Sequence, residues 1–414
     1  MAPTLTRTNA ESAPNSLYSF SLKGLLQTAL ILFLIFFVVK TVWLYSLRVG
    51  GKELIEGKAE KDLQQRRNYL VRKVIKERAS VKSTPQLLDP TFQGEWAIVT
   101  YSMTALALTN MAFKDPALYG KEHKKLVGKL VKMAQIDEIQ EFDTRLWNEK
   151  PMNALKAFKK GKEAKGHVGY VGHLGIIVAS HYALGGKENL ELFRLIANYS
   201  RSLLMQSPHM LSETYPGECY IPDNVVLVAV ISLYDELVQG EKKPTSFTKQ
   251  WVAKMKKEFI DKKSGLMAFT VSAKGKVIQG GRGSSGGWNS HYLLHAHPEF
   301  AKELYLNLEK NFYDKLFFGI AGMREWPHGV DKEGDVDSGP LIFGLSPSGT
   351  GFSIAGALFI RRETVLDALL FTSEAAGFTF LWRKERSYLL APLVGEAIML
   401  AMKTVRLWDK RFIH

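Results

Sequence analysis

The chain has 414 residues, 46% of them hydrophobic, which is enough for a large buried core, and it carries a formal charge of +14. Its single cysteine, Cys219, excludes an internal disulfide framework and a thiolate metal cage. Positive charge allows nucleic-acid binding. No zinc-ligand spacing, RNA-binding aromatic signature or helix-turn-helix pattern accompanies it, so no nucleic-acid partner is expected.

Residues 1–21 are polar and rich in Ser, Thr, Asn and Pro, a composition that predicts disorder. Residues 22–47 are strongly apolar and exceed the ~20 residues needed to cross a bilayer. Lys23 and Arg48 flank them, and Trp43 and Tyr45 suit a membrane interface. The segment reads as an uncleaved, single-pass transmembrane helix, with membrane lipid as a partner. Arg48, Lys52, Lys58 and Lys61 follow it, a bias that favours a cytoplasmic position for the rest of the chain. Residues 48–94 read as a basic juxtamembrane helix and a linker containing Pro85 and Pro90.

Residues 95–414 read as one all-α domain of about a dozen helices. Apolar segments, such as 96–113, 168–184 and 224–238, alternate with amphipathic ones, such as 122–136, 190–205 and 247–259. A helix apolar all round is buried, and a helix with one apolar stripe lies at the surface. Buried helices each backed by a surface helix make an (α/α)6-type toroid. A solenoid is the alternative, but no fixed-period repeat supports it. A small β-hairpin is expected over 266–278.

Polar loops precede the apolar helices. If those helices all point one way, the loops meet at one rim, the usual form of a small-molecule or glycan site. Gly169–Leu174 contributes Tyr170 and His173, a residue whose charge can change near neutrality. Glu213–Asn224 contributes Tyr215, Glu218, Tyr220, Asp223 and Asn224. Its acids suit acid and base roles, its tyrosines stacking, and Asp223 or Asn224 equally a helix cap. Gly280–Trp288 is glycine-rich, contains no P-loop signature, and offers Arg282 to an anion and Trp288 as a platform. The stretch Gly322–Phe352 contributes Glu325, Trp326, His328, Asp335, Asp337 and Ser338. Its acids do not fit an EF-hand, so no metal site is assigned. Asp337, fixed by the following Ser-Gly-Pro, is the expected general acid, facing Glu218 or Asp223 as in two-carboxylate glycosidases.

The helix pairing resembles the six-hairpin glycosidase-like toroids. Within them, Gly172-His173-Leu174 and Pro222-Asp223-Asn224-Val225 resemble the linalool dehydratase/isomerase family. That resemblance implies pocket roles for His173 and Asn224 and places Cys219 near the family's first cysteine. The second cysteine position falls near Ala229.

Three functions stay open. One is carboxylate acid/base chemistry on a glycan or glycosidic bond, by hydrolysis or lysis. The second is cofactor-independent dehydration or isomerisation of a terpenoid-like alcohol. The third is non-catalytic binding at a membrane. No cofactor is expected in any of them.

Overall fold

The computed structural model describes residues 22–79 and 90–412. The expected disorder of residues 1–21 and most of the expected linker lie outside these. The chain divides into two compact units, Met1–Arg48 and Val49–His414.

The first unit contains one described helix, α1 (Leu22–Leu47). Its apolar side chains, Leu30, Phe33 and Phe36 among them, are exposed. The transmembrane assignment is corrected: among the described residues, no helix is long and apolar enough to cross a membrane. Gln27 and Thr28 on one side and Lys40 and Thr41 on the other limit the unbroken apolar run to Ala29–Val39, 11 residues. That is about 16 Å of helix against a hydrocarbon core of about 30 Å. The single-pass localisation, its charge-based sidedness and the lipid partner fall with it.

In the second unit the helices are α2 (Gly51–Ile55), α3 (Glu60–Leu70), α4 (Pro90–Lys114), α5 (Pro116–Ala134), α6 (Asp137–Trp147), α7 (Pro151–Lys159), α8 (Val168–Ala183), α9 (Leu190–Met205), α10 (Ile221–Tyr234), α11 (Ser246–Glu258), α12 (Gly283–Leu293), α13 (Pro298–Phe312), α14 (Pro347–Phe359), α15 (Glu363–Gly377) and α16 (Leu393–Thr404). Around the ring α4 packs on α8, α8 on α10, α10 on α12, α12 on α14, α14 on α16, and α16 back on α4. Six inner helices therefore close on themselves.

The outer layer follows: α5 backs α4 and α8, α9 backs α8 and α10, and α11 backs α10. On the other side α13 backs α12 and α14, α15 backs α14, and α3 backs α16. Composition explains the layers. Every residue of α8 is buried, and it has no Lys, Arg, Asp or Glu. In α5, by contrast, Lys121, Lys125 and Lys129 face out while Leu126, Val127 and Leu130 face in. Caps mark the starts: Asp115 accepts from Leu118 N–H at α5, and Ser346 accepts from Gly349 N–H at α14.

Residues 51–76, expected as a stalk, pack within this unit. A π-helical turn, Val71–Lys76, extends α3. Asp62 and Arg66 of α3 are fully buried in an ion cluster with Glu374, Arg386 and Lys403. Arg66 Nη2 reaches Glu374 at 2.7 Å, and Arg386 Nη1 reaches Asp62 at 2.9 Å. Lys403 Nζ reaches Glu374 at 2.8 Å and Asp62 at 3.1 Å. Asp62 and Glu374 pair with three cations there, and buried Glu396 approaches Arg66 at 3.8 Å, all in near-complete burial.

The strands are short and peripheral. β1 (Cys219–Tyr220), β2 (Thr270–Val271) and β3 (Val277–Gln279) form one antiparallel sheet, which contains the expected hairpin. β4 (Tyr313–Lys315) pairs with β5 (Ala321–Met323), and β6 (Thr379–Trp382) with β7 (Glu385–Tyr388).

Candidate active site

Each inner helix before α16 is followed by an outer one that returns the chain, so the inner helices start at the same rim. Close contacts tie these starts together. Trp288 Nε1 at α12 donates to Pro222 O at α10, 3.1 Å. A Cβ on Gly349 of α14 would come within 3.0 Å of Gly283 of α12.

A cluster of carboxyl groups sits at this rim. Glu95, in the second turn of α4, has its pKa pushed up to about 8 by burial, then by the charges of Asp223 and Asp337, with the Tyr215 phenol pulling the other way. Asp223, in the first turn of α10, is pushed up to about 7 by burial, with Asp337 adding to it. The Thr214 hydroxyl donates to Asp223 Oδ2 at 2.9 Å and partly offsets the rise. Asp337 is also raised, first by burial and then by Asp335, against the pull of Arg282. Its side chain nevertheless keeps 52% of its surface open to solvent. A carboxyl that water reaches, yet crowded by protein, lies in a recess. At pH 7 Glu95 is therefore mainly protonated, while Asp223 is divided between acid and base. The three act as one coupled titrating set.

Behind the cluster, Asp143 of α6 is fully buried and its Oδ2 meets His167 Nδ1 at 2.5 Å. The His167 ring packs against Trp147, whose Nε1 donates to Thr214 O. Asp143 is thereby connected to the residue that holds Asp223.

Arg282 precedes α12, buried under the rim. It forks onto Asp335 at 2.6 and 2.7 Å and pairs with buried Glu325. Burial works against its charge, and these carboxylates outweigh it. Glu325 also accepts from Ser284 N–H and its hydroxyl, 3.1 and 2.8 Å. A carboxylate thus occupies the start of α12, where the glycine-rich loop could have held an anion. The glycines serve packing instead: a Cβ on Gly283 would stand 1.9 Å from Arg324 O.

Asp335 is the turn former: its Oδ1 accepts from Ser338 N–H, and Ser338 Oγ accepts from Asp335 N–H. That leaves Asp337 unused by the turn, with only the long 3.8 Å approach of Arg282. Asp331 pairs with Arg324. Among the described residues, no three of His, Cys, Asp and Glu come together as a metal site.

The other sequence-predicted residues fall into two groups. Near the carboxyls are Tyr215, Tyr220 and Trp288. Tyr220 feels both Asp337 and Asp223, after burial and its bond to Glu218, and its ring meets Phe269. Glu218 itself is exposed at the loop tip and spends its carboxylate on the Tyr220 hydroxyl. Trp326 lies beside Arg282 and donates to Glu333 O. The second group serves structure. Tyr170 is buried and donates to Ala134 O. Asn224 is buried and binds Ser212 N–H and O and Tyr220 O, fixing the loop to its helix. His328 is exposed against Tyr313 O.

His173 lies below the rim, bonded through Nδ1 to Ser102 Oγ at 2.8 Å and packed edge-on against Trp288 and Tyr292. Burial lowers its pKa to about 3, so it is neutral and carries no proton for the rim. Cys219 is buried, its thiol donates to Ser212 O, and burial raises its pKa to about 12. Neither suits the dehydratase chemistry that the resemblance implied. From the sequence Glu95, with Trp96, reads as one of the polar segments opening an apolar helix at the rim, but with no role assigned; the Asp143–His167 pair was not singled out. The only signal for Glu95 was its place, a lone acid opening an apolar helix.

No protein-family model matches the sequence, and no curated protein matches it. The likeness to linalool dehydratase/isomerase is therefore not shown. Among solved structures, the chain is similar to a C. acetobutylicum glycoside hydrolase described as belonging to family 105. The identity is 12% and the TM-score 0.47, over 82% of this chain and 99% of that one. The chemistry of the rim is accordingly derived from its own residues.

Proposed function

We propose that the chain is a glycan-acting enzyme that uses carboxylate acid/base chemistry at the toroid rim. The observation that carries this is the set Glu95, Asp223 and Asp337: burial and neighbouring charge push Glu95 to about 8 and Asp223 to about 7, and raise Asp337 as well. Carboxyls whose environments push their pKa values apart divide into acid and base. Glu95, protonated at pH 7, donates to the leaving oxygen of a glycosidic bond. The ionised member of the Asp223–Asp337 pair takes the proton of an attacking water, or of the sugar carbon in a lyase reaction. Tyr215, Tyr220 and Trp288 offer ring faces to pyranose units. Arg282, fully engaged by Glu325 and Asp335, sets the Asp337 loop rather than binding substrate.

The test is a panel of neutral and uronate-containing oligosaccharides, assayed for reducing ends and for unsaturated products. Asp223→Asn and Asp337→Asn should each lose about 10²–10⁴ in rate on any active substrate. Full activity in either variant removes that residue from the mechanism. No turnover anywhere on the panel refutes the glycan reading.

A further inference from the structure

Below the rim, the interior of the ring contains polar groups that the acid/base chemistry does not use. Asn289 and His291 lie on α12 and His295 in the turn that follows it, four residues after His291; both histidines are fully buried. Both nitrogens of both imidazoles, Asn289 Oδ1 and Asn110 Nδ2 of α4 have no hydrogen-bond partner among the described residues. Five of these atoms, those of His291, His295 and Asn110, form a connected set. The His291 and His295 rings are 6.2 Å apart, His295 is 4.9 Å from Trp408, and Trp408 Nε1 donates to Asn110 Oδ1. Trp408 follows α16 and bridges the end of α12 to α4, which are not neighbours in the ring, so the set reaches across it.

A neutral imidazole has one donor and one acceptor. Leaving such a group buried and unpaired lowers the folding equilibrium by roughly 5- to 150-fold each. Six at once would exceed the margin by which a domain is stable. Polar groups in this situation bind ordered water, typically with two to four partners per molecule.

A metal ion is the rival occupant, since two histidines one turn apart can share one. Lys243 speaks against it. Its ammonium stands near enough to His295 to oppose positive charge there, and the adjacent carboxylate, Glu236, is already bound to Lys243 at 2.6 Å. We infer that the ring interior binds a file of ordered water molecules between Asn110, His291 and His295. Its upper end approaches the rim, where Tyr292, next to His291, feels the charge of Asp223.

The experiment is nuclear magnetic resonance on the full chain labelled with ¹⁵N-histidine at pH 7. Water-selective magnetisation transfer is read at each imidazole N–H, with His291→Phe and His295→Phe to assign the signals. Where a Phe variant fails to fold, the matching Gln variant assigns the signal. The expected result is transfer from water to both His291 and His295, unchanged by a chelator. Signals that receive nothing from water mean a dry interior and overturn the inference. Bound transition metal in stoichiometric amount, with imidazole signals that shift on chelation, overturns it as well.

Discussion

Replacing Glu95 by Gln keeps the size of the side chain and removes its acidity. The carboxyl moves from an ordinary 4.5 to about 8 on folding. A raised pKa means that the folded state binds the proton more tightly. Below pH 4.5 both states are protonated and the group is neutral for stability. As pH rises from 4.5 to 8, the unfolded chain ionises and the folded one resists, so stability falls. At 1.36 kcal/mol per unit, the cost at pH 7 is about 3 kcal/mol, and nearer 2 after solvent screening of a partly accessible group. Glu95→Gln should therefore match the parent at pH 4 and exceed it by about 2–3 kcal/mol at pH 8, by urea denaturation at each pH. On a turned-over substrate it should lose about 10²–10⁴ in kcat. Stability curves that run parallel from pH 4 to pH 9 would refute the assignment of Glu95 as the proton-holding group.

Three further outcomes follow. Arg282→Met leaves Glu325 buried and unpaired and should destabilise by about 3–5 kcal/mol in denaturant titration; a shift below about 1 kcal/mol would mean that water reaches Glu325. Lys403→Met removes one of three cations around Asp62 and Glu374 and should cost about 3–5 kcal/mol by the same measurement, while an unchanged midpoint would show that two cations suffice. Cys219→Ala should leave activity within about twofold, because a thiol with a strongly raised pKa is not a nucleophile; a loss beyond tenfold would return Cys219 to the chemistry.

The layer pattern was legible in the sequence because it depends on composition within each helix. Segments 168–184 and 224–238 have almost no charge and can only be interior, and both lie in the inner ring. The same rule failed for residues 51–76. Their charges read as solvated, but Arg66 is answered by Glu374, 308 positions later, and Asp62 by Lys403, 341 positions later. No local window contains such a pair. Glu95 escaped for the same reason, since Asp223, Asp337 and Tyr215 reach it only once the ring has closed. For Asp337 the local turn was readable, but that Asp335 would satisfy it depended on Arg282, 53 residues away. The apolar stretch 22–47 misled through its average, which hid the polar residues dividing it.

The closure of α4 against α16 fixes the order in which this fold can complete itself. On the ribosome α3 and α4 are made early, and α16, which packs on both, is made some 300 residues later. At an elongation rate of about 5–20 residues per second, α4 waits at least ~15 s for the helix that covers it. Through that interval the α16-facing flank of α4, and Arg66 and Asp62, which then have only each other, stay in contact with water or with a chaperone. A ring sealed by its final helix cannot fold progressively from its start, so its assembly falls after synthesis and depends on protection of the opening segments until then.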